Sequence, residues 1–137
     1  MIRLALVFVA VAGRLCAADM PALPDVPSGL GLELQEMLYE VKPDGANDYA
    51  RFRFVAPELN KDLASDYEAR LADMRTLCDH YALKALTSQA KHADVIVISL
   101  SDSATEFGRP APDTVQVFEA FRIKPSLSGG ACILEDF

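Results

Sequence analysis

A single long stretch of this chain, residues 66–88, repeats its apolar residues with the three- and four-residue spacing of an amphipathic helix. The apolar stripe comprises Tyr67, Leu71, Met74, Cys78 and Tyr81. Ser65 and Glu68 have the spacing of a capping box, which satisfies free backbone N–H groups at a helix start. We therefore expect one long helix, from about 66 to about 88, whose stripe packs into the core.

The other apolar segments are short, and they predict strands. We expect these strands to cover residues 30–41, 49–55, 94–100, 115–123 and 131–137. The alternation slips near Glu36, which indicates a bulge or a strand end. Within 49–55 the alternation is strict, with Phe52 and Phe54 on one face and arginines on the other. The segment 94–100 is apolar on both faces, as expected of a central strand.

The element order β-β-α-β-β-β determines the expected architecture. Turn-forming residues 42–48 join the first two strands into a hairpin. One alternative stays open, because residues 113–120 could form a helix capped by Asp113 instead of the fourth strand. We expect an α+β fold, in which a mostly antiparallel sheet of four or five strands carries the long helix on one face.

Residues 1–18 have the order of regions found in a secretory signal peptide. Arg3 is followed by an apolar run to Gly13, and small residues come at Ala17 and Ala18. The run is shorter than the roughly 20 residues of a membrane-spanning helix. A buried N-terminal strand or helix is the alternative. We expect cleavage after Ala17 or Ala18, export to the periplasm, and no transmembrane segment in the mature chain.

Cys16 offers a second outcome of export, in which this cysteine is acylated and kept as a lipid anchor. The residues before it, Gly13 to Leu15, match the small-residue pattern of such a site poorly, so we favour the unlipidated periplasmic form. The proline-containing residues 19–29 predict an extended tether between the leader and the domain. Residues 30–137 then form a single domain.

Composition and charge exclude two classes of protein. About half of the residues are apolar (51%), which is too many for a chain that stays disordered. The chain has 13 Lys and Arg against 20 Asp and Glu, a formal charge of −7. Because no basic patch offsets phosphate charge, we do not expect nucleic acid as a partner.

Cys78 and Cys132 are the cysteines that remain after removal of the leader. Two thiols in an oxidising compartment most often form one disulfide. The alternative is a redox or metal pair, but the chain has no Cys-x-x-Cys motif, and His80 and His92 lack zinc-ligand spacing with the cysteines. We expect a Cys78–Cys132 disulfide and no metal site.

The chain lacks the common motifs of nucleophilic, metal-dependent and phosphate-binding sites. We therefore expect no catalytic constellation and no cofactor. His80 follows Asp79, but neighbours in a helix point about 100° apart, so the two do not form a dyad. A surface histidine is the simpler interpretation. The alternative is a small periplasmic hydrolase or lyase in which His80 works with a nearby acid.

The long irregular connection at residues 101–114 is the best candidate for a binding site, because structureless loops of this length are often functional. We expect a partner-binding loop formed by Asp102, Glu106, Phe107 and Arg109. Two alternatives stay open: the carboxylates could hold a cation such as calcium, or Phe107 and Pro110 could simply cover the sheet edge.

A second candidate surface is the arginine face of the sheet. Arg51, Arg53 and Arg122 could together bind an anion on the open sheet face. The alternative is cross-strand ion pairing on a solvated face, with strand acids such as Glu33 and Glu119 as partners.

Several segments resemble a known family: Val26-Pro-Ser-Gly, Arg51-Phe-Arg-Phe-Val-Ala-Pro57, Val97-Ile-Ser-Leu-Ser-Asp102 with Glu106-Phe-Gly108, and Phe118-Glu-Ala-Phe-Arg122 with the ending Cys132-Ile-Leu-Glu-Asp-Phe. The chain resembles the domain family of unknown function DUF6497, small secreted proteins of Rhodobacter-group alphaproteobacteria. The resemblance implies export and a common fold, and it supplies no catalytic residues. Some members carry the label acetolactate synthase, which does not suit a chain several times shorter than a thiamine-diphosphate enzyme.

These patterns together predict an exported, disulfide-stabilised periplasmic protein that binds or assists a protein partner. The expected contact is the loop that follows the central strand.

Overall fold

The computed structural model describes residues 20–127 and 129–136. Five strands are present: β1 (Glu33–Glu40), β2 (Tyr49–Val55), β3 (Val95–Ser101), β4 (Gln116–Lys124) and β5 (Ala131–Leu134). A short helix α1 (Lys61–Ser65) precedes α2 (Tyr67–Leu77), a π-helical turn (Cys78–Ala82) and α3 (Leu83–Ser88). The last three follow one another without a break, and we call them the main helix. The predicted α+β fold is confirmed.

The sheet has the spatial order β1-β2-β3-β4-β5, with β3 in the centre as predicted. β1 and β2 form the predicted antiparallel hairpin, and its register shifts between Leu34 and Glu36, which confirms the bulge. β2 and β3 pair in parallel, because the main helix carries the chain across the sheet between them. The pairs β3–β4 and β4–β5 are antiparallel. Residues 116–124 form a strand, so the helical alternative is wrong.

The start of the main helix differs from the predicted capping box. Asp66 is the cap, and its side chain accepts a hydrogen bond from the Ala69 N–H at 3.1 Å. Ser65 is the last residue of α1, and its hydroxyl donates backward to the Asp62 carbonyl. Because the short preceding helix occupies Ser65, this residue is not available to cap the main helix.

The buried stripe of the main helix is rotated from the predicted one. Met74, Cys78 and Tyr81 are buried as expected. The Tyr81 ring meets the rings of Phe52 and Phe54 edge-on, at centroid distances of 6.1 and 5.7 Å. Tyr67, in contrast, is 53% exposed, so its placement in the core was wrong. Two charged residues, Arg70 and Asp73, occupy the stripe instead.

The disulfide joins Cys78 in the main helix to Cys132 in β5, and its presence confirms the predicted pairing. Both cysteines are buried in the core between helix and sheet. The bridge fixes the helix to an edge strand that makes few other contacts with it.

The segment predicted as a tether is extended, but its described part lies against the domain. Val26 is 5% exposed and belongs to the core, with Met20, Leu23 and Leu30 packed against it. Ser28 donates to the buried Asp73 carboxylate from both its N–H and its hydroxyl, at 3.0 and 2.6 Å. The chain from Met20 onward is therefore part of the packed unit. The predicted signal peptide, residues 1–18, lies outside the described residues.

Within residues 20–127 and 129–136, none of the helices has the length and apolar character needed to cross a membrane.

Candidate binding site on the open sheet face

The alternation of β2 places its phenylalanines and arginines on opposite faces of the sheet. Phe52 and Phe54 pack under the main helix, where they are 0% and 1% exposed. The other face, which we call the open face, is turned away from the main helix. Its central part consists of Tyr49, Arg51, Arg53, Val95, Val97, Ser99, Phe118, Ala120 and Arg122. The open face therefore presents arginine and aromatic side chains on an apolar floor.

Each arginine of the open face has a carboxylate partner on a neighbouring strand or directly after its end. Arg51 Nε donates to Glu40 at 2.7 Å, and Arg53 Nη1 donates to Glu36. Arg122 makes two parallel hydrogen bonds to Glu135, at 2.8 and 2.7 Å, and these raise its pKa. The predicted alternative of cross-strand ion pairing is thus present, with partners other than those we named.

Glu33 and Glu119 are not those partners. Glu33, at the start of β1, is exposed. Glu119 pairs with Ile98 in the register of β3 and β4, on the side of the sheet that faces the main helix. It accepts a hydrogen bond from Tyr67 there. Glu36 lies directly across the hairpin from Arg53, and Glu40 lies near Arg51, so these two carboxylates pair with the arginines instead.

The connection between β3 and β4, residues 102–115, folds over the β2 arginines. Thr105 accepts a hydrogen bond from Arg53 Nη2 through its hydroxyl at 2.7 Å. The Thr105 carbonyl accepts from the Gln35 side chain, also at 2.7 Å. The Phe107 ring lies over both guanidinium groups, with its centroid 5.4 Å from Arg51 Cζ and 5.6 Å from Arg53 Cζ. The loop is therefore held by contacts that Gln35 and the β2 arginines supply.

Asp102 and Glu106 have separate tasks in this loop. Asp102 closes its base, where the Asp102 N–H donates to the Val115 carbonyl at 3.0 Å and its carboxylate accepts from the Val115 N–H. Glu106 pairs with Arg109 at 3.1 Å on the exposed outer part of the loop. In the described part of the chain, these carboxylates do not belong to any cluster that could hold a metal ion.

A cavity of about 240 Å³ lies between the loop and the open face. Its lining consists of Arg51, Arg53, Val97, Ser99, Thr105, Glu106, Phe107, Gly108, Arg109, Gln116 and Phe118. Phe107 and Phe118 are 48% and 66% exposed. The predicted partner-binding loop and two residues of the predicted anion-binding face thus meet at one site, which we call the open-face cavity.

Two other predicted site residues lie elsewhere. Arg122 does not line the open-face cavity, and its guanidinium is occupied by Glu135. Asp102 stays at the loop base. Phe107 is half-exposed and lies over the arginines of β2, which is not an edge strand, so it does not cover the sheet edge as the second alternative for the loop supposed.

His80 is exposed and makes no hydrogen bond or ion pair with a described residue. Its neighbour Asp79 accepts a hydrogen bond from the Cys132 N–H at 2.9 Å, across the disulfide. His92 is exposed and lies 3.3 Å from Asp94 at the other end of the sheet. Among the described residues, His80 therefore has no acid partner for the hydrolase or lyase alternative, and the acid–imidazole contact that is present involves His92.

Sequence reasoning missed Phe118, Ser99 and Gln116 as site residues. The sequence did carry a signal for Phe118. The alternation of β4 places it on the face opposite the buried Phe121, and an exposed aromatic ring on a sheet face often marks a binding site. Ser99 and Gln116 carried none, since their place at the site depends on how residues 102–115 fold back over the sheet.

Neither a curated protein nor a solved structure matches this chain. A family model matches residues 7–137, which is nearly the whole chain, and it describes a family of unknown function. The chain belongs to this family, DUF6497.

Proposed function

We propose that this protein is exported to the periplasm and acts there as a disulfide-stabilised binding or accessory protein, which docks a protein partner at the open-face cavity. One observation carries the proposal: Phe107 and Phe118 are exposed aromatic residues that line one cavity together with arginines. Aromatic residues and arginine are the residue types enriched in protein–protein interfaces and in their hot spots.

Export is supported by the leader pattern of residues 1–18 and by the disulfide. Disulfides persist in oxidising compartments and are rare in the cytosol. Intact mass spectrometry of the protein from its native envelope, under non-reducing conditions, tests this part. We expect a chain that begins at Ala18 or Asp19 and has no free thiol. Retention of residues 1–17, or two free thiols, would contradict export, and a lipid on Cys16 would indicate a membrane-anchored form.

The docking surface can be tested by photo-crosslinking. A benzophenone amino acid placed at Phe118 or Phe107 should crosslink one and the same partner in intact cells. Val41 provides the matched control, because it is a 72% exposed apolar residue outside the cavity lining. Crosslinks that form equally well from position 41, or different partners from positions 107 and 118, would refute the docking surface.

Substitutions separate docking from stability. Phe118→Ser and Arg109→Ala should abolish co-purification of the crosslinked partner without lowering the melting temperature, because both side chains are exposed. Val41→Ser should leave co-purification unchanged. Unaltered co-purification in Phe118→Ser would remove the cavity from the interface.

A further inference from the structure

One hydroxyl group of the open-face cavity makes no hydrogen bond to a described residue. Ser99 is 8% exposed and lines the cavity, and its side chain has no hydrogen-bond partner among the described residues. The hydroxyl is not fully cut off from solvent, so it is open to water or to a ligand in the cavity. Ser99 is the register partner of Arg53, so the two side chains project from the same face of neighbouring strands.

The arginines at this site also retain unused donors. Arg51 donates to Glu40 through Nε, while its two Nη groups have no acceptor among the described residues. Arg53 is 7% exposed and is held by Glu36 and Thr105. Because the Arg51 side chain is 27% exposed, these Nη groups are open to water or to a ligand in the cavity.

Charge distribution favours an anionic acceptor. Three arginines, Arg51, Arg53 and Arg109, line the cavity together with one carboxylate, that of Glu106. The carboxylates that pair with Arg51 and Arg53, those of Glu40 and Glu36, are not part of the lining. Positive groups therefore outnumber negative ones around the cavity. A carboxylate can accept two parallel N–H bonds from one guanidinium group, which a single carbonyl oxygen cannot match.

The apolar part of the cavity lining favours an apolar group next to that carboxylate. Phe107, Phe118 and Val97 all belong to the lining. The volume of about 240 Å³ is smaller than the roughly 300–1,000 Å³ of sites for drug-sized ligands. This volume suits one large side chain or one small organic acid.

We infer that the open-face cavity binds a carboxylate attached to an apolar, preferably aromatic, group, which Ser99 and Arg51 hold through the oxygens while Phe107 and Phe118 enclose the apolar part. The carboxylate belongs either to a free acid or to the C-terminal residue of a polypeptide. This inference rests on the proposed function where the polypeptide is the partner, because the cavity then takes the last residue of that partner.

Titration with 3-phenylpropionate, followed by ¹H–¹⁵N NMR, tests the site. We expect shifts at the Ser99 amide and at the Arg51 and Arg53 Nε–H signals, with a Kd on the order of 1 mM for a ligand of this size. The uncharged amide 3-phenylpropionamide should bind about tenfold more weakly, because it lacks the second oxygen and the charge. Equal binding of the amide, or no shift at Ser99, would overturn the inference.

Two variants and a control locate the binding. Ser99→Ala removes a hydroxyl that has no protein partner, so we expect an unchanged melting temperature and about tenfold weaker binding. Arg51→Gln should weaken binding at least as much. Arg122→Gln is the matched control, because Arg122 is also a paired arginine of the open face but lies outside the cavity. Equal weakening by Arg122→Gln would show that the ligand responds only to the overall positive charge of the open face, and this result would contradict the proposed site.

A second arm identifies the source of the carboxylate. Acetyl-Gly-Gly-Phe with a free carboxylate, compared with its C-terminal amide, reports on recognition of a polypeptide end. Binding of the peptide acid supports the C-terminal residue, whereas binding of 3-phenylpropionate alone supports a free acid. Failure of both acids overturns the inference but leaves the proposed docking surface, which the crosslinks at Phe107 and Phe118 test independently.

Discussion

Arg70 and Arg53 are both almost completely buried, yet they lie on opposite faces of the sheet and have different surroundings. Arg70 in the main helix is 2% exposed, and Arg53 in β2 is 7% exposed. Arg70 pairs with Asp73 at 3.2 Å, and the Asp73 side chain is wholly buried. Arg53 pairs with Glu36, whose side chain keeps 35% of its surface exposed. One ion pair is sealed inside the core, and the other lies at the edge of a cavity.

The partners of each arginine explain the difference. Asp73 also accepts two hydrogen bonds from Ser28, so the Arg70–Asp73 pair fastens the N-terminal segment to the main helix. Arg70 Nε and Nη1 have no partner in the described part of the chain. Arg53, in contrast, is held by an edge strand and a loop, next to a cavity that a ligand can enter. The exposed fraction of an arginine therefore does not show whether it serves the fold or a binding site. The groups around the arginine do show this.

Removing the acid of the sealed pair should have the largest effect. Asp73→Ala leaves the buried Arg70 charge uncompensated and releases Ser28, so we expect a loss of about 3–5 kcal/mol in the free energy of unfolding. The matched change on the open face, Glu36→Ala, should cost less, about 1.5–3 kcal/mol, because Arg53 keeps its hydrogen bond to Thr105 and borders a cavity open to water. Urea denaturation of both variants measures the difference, and equal losses would contradict the comparison.

Removing the disulfide should have the next largest effect. The bridge spans 54 residues of sequence, and its loss from a domain of this kind is expected to cost about 2–4 kcal/mol. Both cysteines lie in the core between the main helix and the sheet, away from the open face. The Cys78→Ala, Cys132→Ala double variant should therefore unfold at lower urea but bind 3-phenylpropionate with an unchanged Kd while it is folded. A binding loss in the folded variant would show that the two faces are coupled.

The sequence predicted the sheet and the main helix well, because each depends on a local period. Phe52 and Phe54 alternate with arginines in a seven-residue segment, and that pattern decides which face is buried whatever the rest of the chain does. The bulge beside Glu36 was readable for the same reason, since a slip in alternation is itself local.

The sealed ion pair and the cavity were not predictable in this way. Arg70 and Asp73 occupy core positions of the helix, but charged residues in an amphipathic pattern indicate solvent unless their partner is known. The partner group includes Ser28, 45 residues away. Thr105 likewise reaches Arg53 across 52 residues. Contacts over such separations follow from the packing of the whole chain, which local periodicity does not encode.

Removal of Phe107 should have a modest effect on stability. Its ring covers Arg51 and Arg53, and cation–π contacts at partly exposed sites contribute about 0.5–1 kcal/mol each. We expect Phe107→Ala to lower the free energy of unfolding by about 1 kcal/mol. Phe118→Ala makes a matched control with a change within about 0.5 kcal/mol, because its ring is 66% exposed. Thermal unfolding of both variants checks the ranking.

The smallest expected effect is on the pH dependence of stability, and it comes from Asp94, whose carboxylate belongs to neither arginine pair. The Asp94 carboxylate accepts from the Asp48 N–H at 2.9 Å, and this bond is the main cause that lowers its pKa. A carboxyl group whose pKa is lower in the folded state than in the unfolded state stabilises the fold at pH values above its unfolded-state pKa. This contribution is lost as the pH falls through the folded-state pKa. The advantage of the wild type over Asp94→Asn should therefore be constant near neutral pH and shrink below about pH 4.

Urea titrations of both proteins at a series of acidic pH values measure that advantage. Asp94 and Asp48 lie just before β3 and β2, at one end of the two central parallel strands, so the bond joins strands that contribute to both faces of the sheet. If the advantage instead grew as the pH fell, the Asp94 carboxylate would be destabilising the strand ends. The Asp73→Ala and Glu36→Ala comparison would then have to be repeated at each pH. The repeated measurements would show whether the difference in stability between the two variants is independent of a general effect of acid on the sheet.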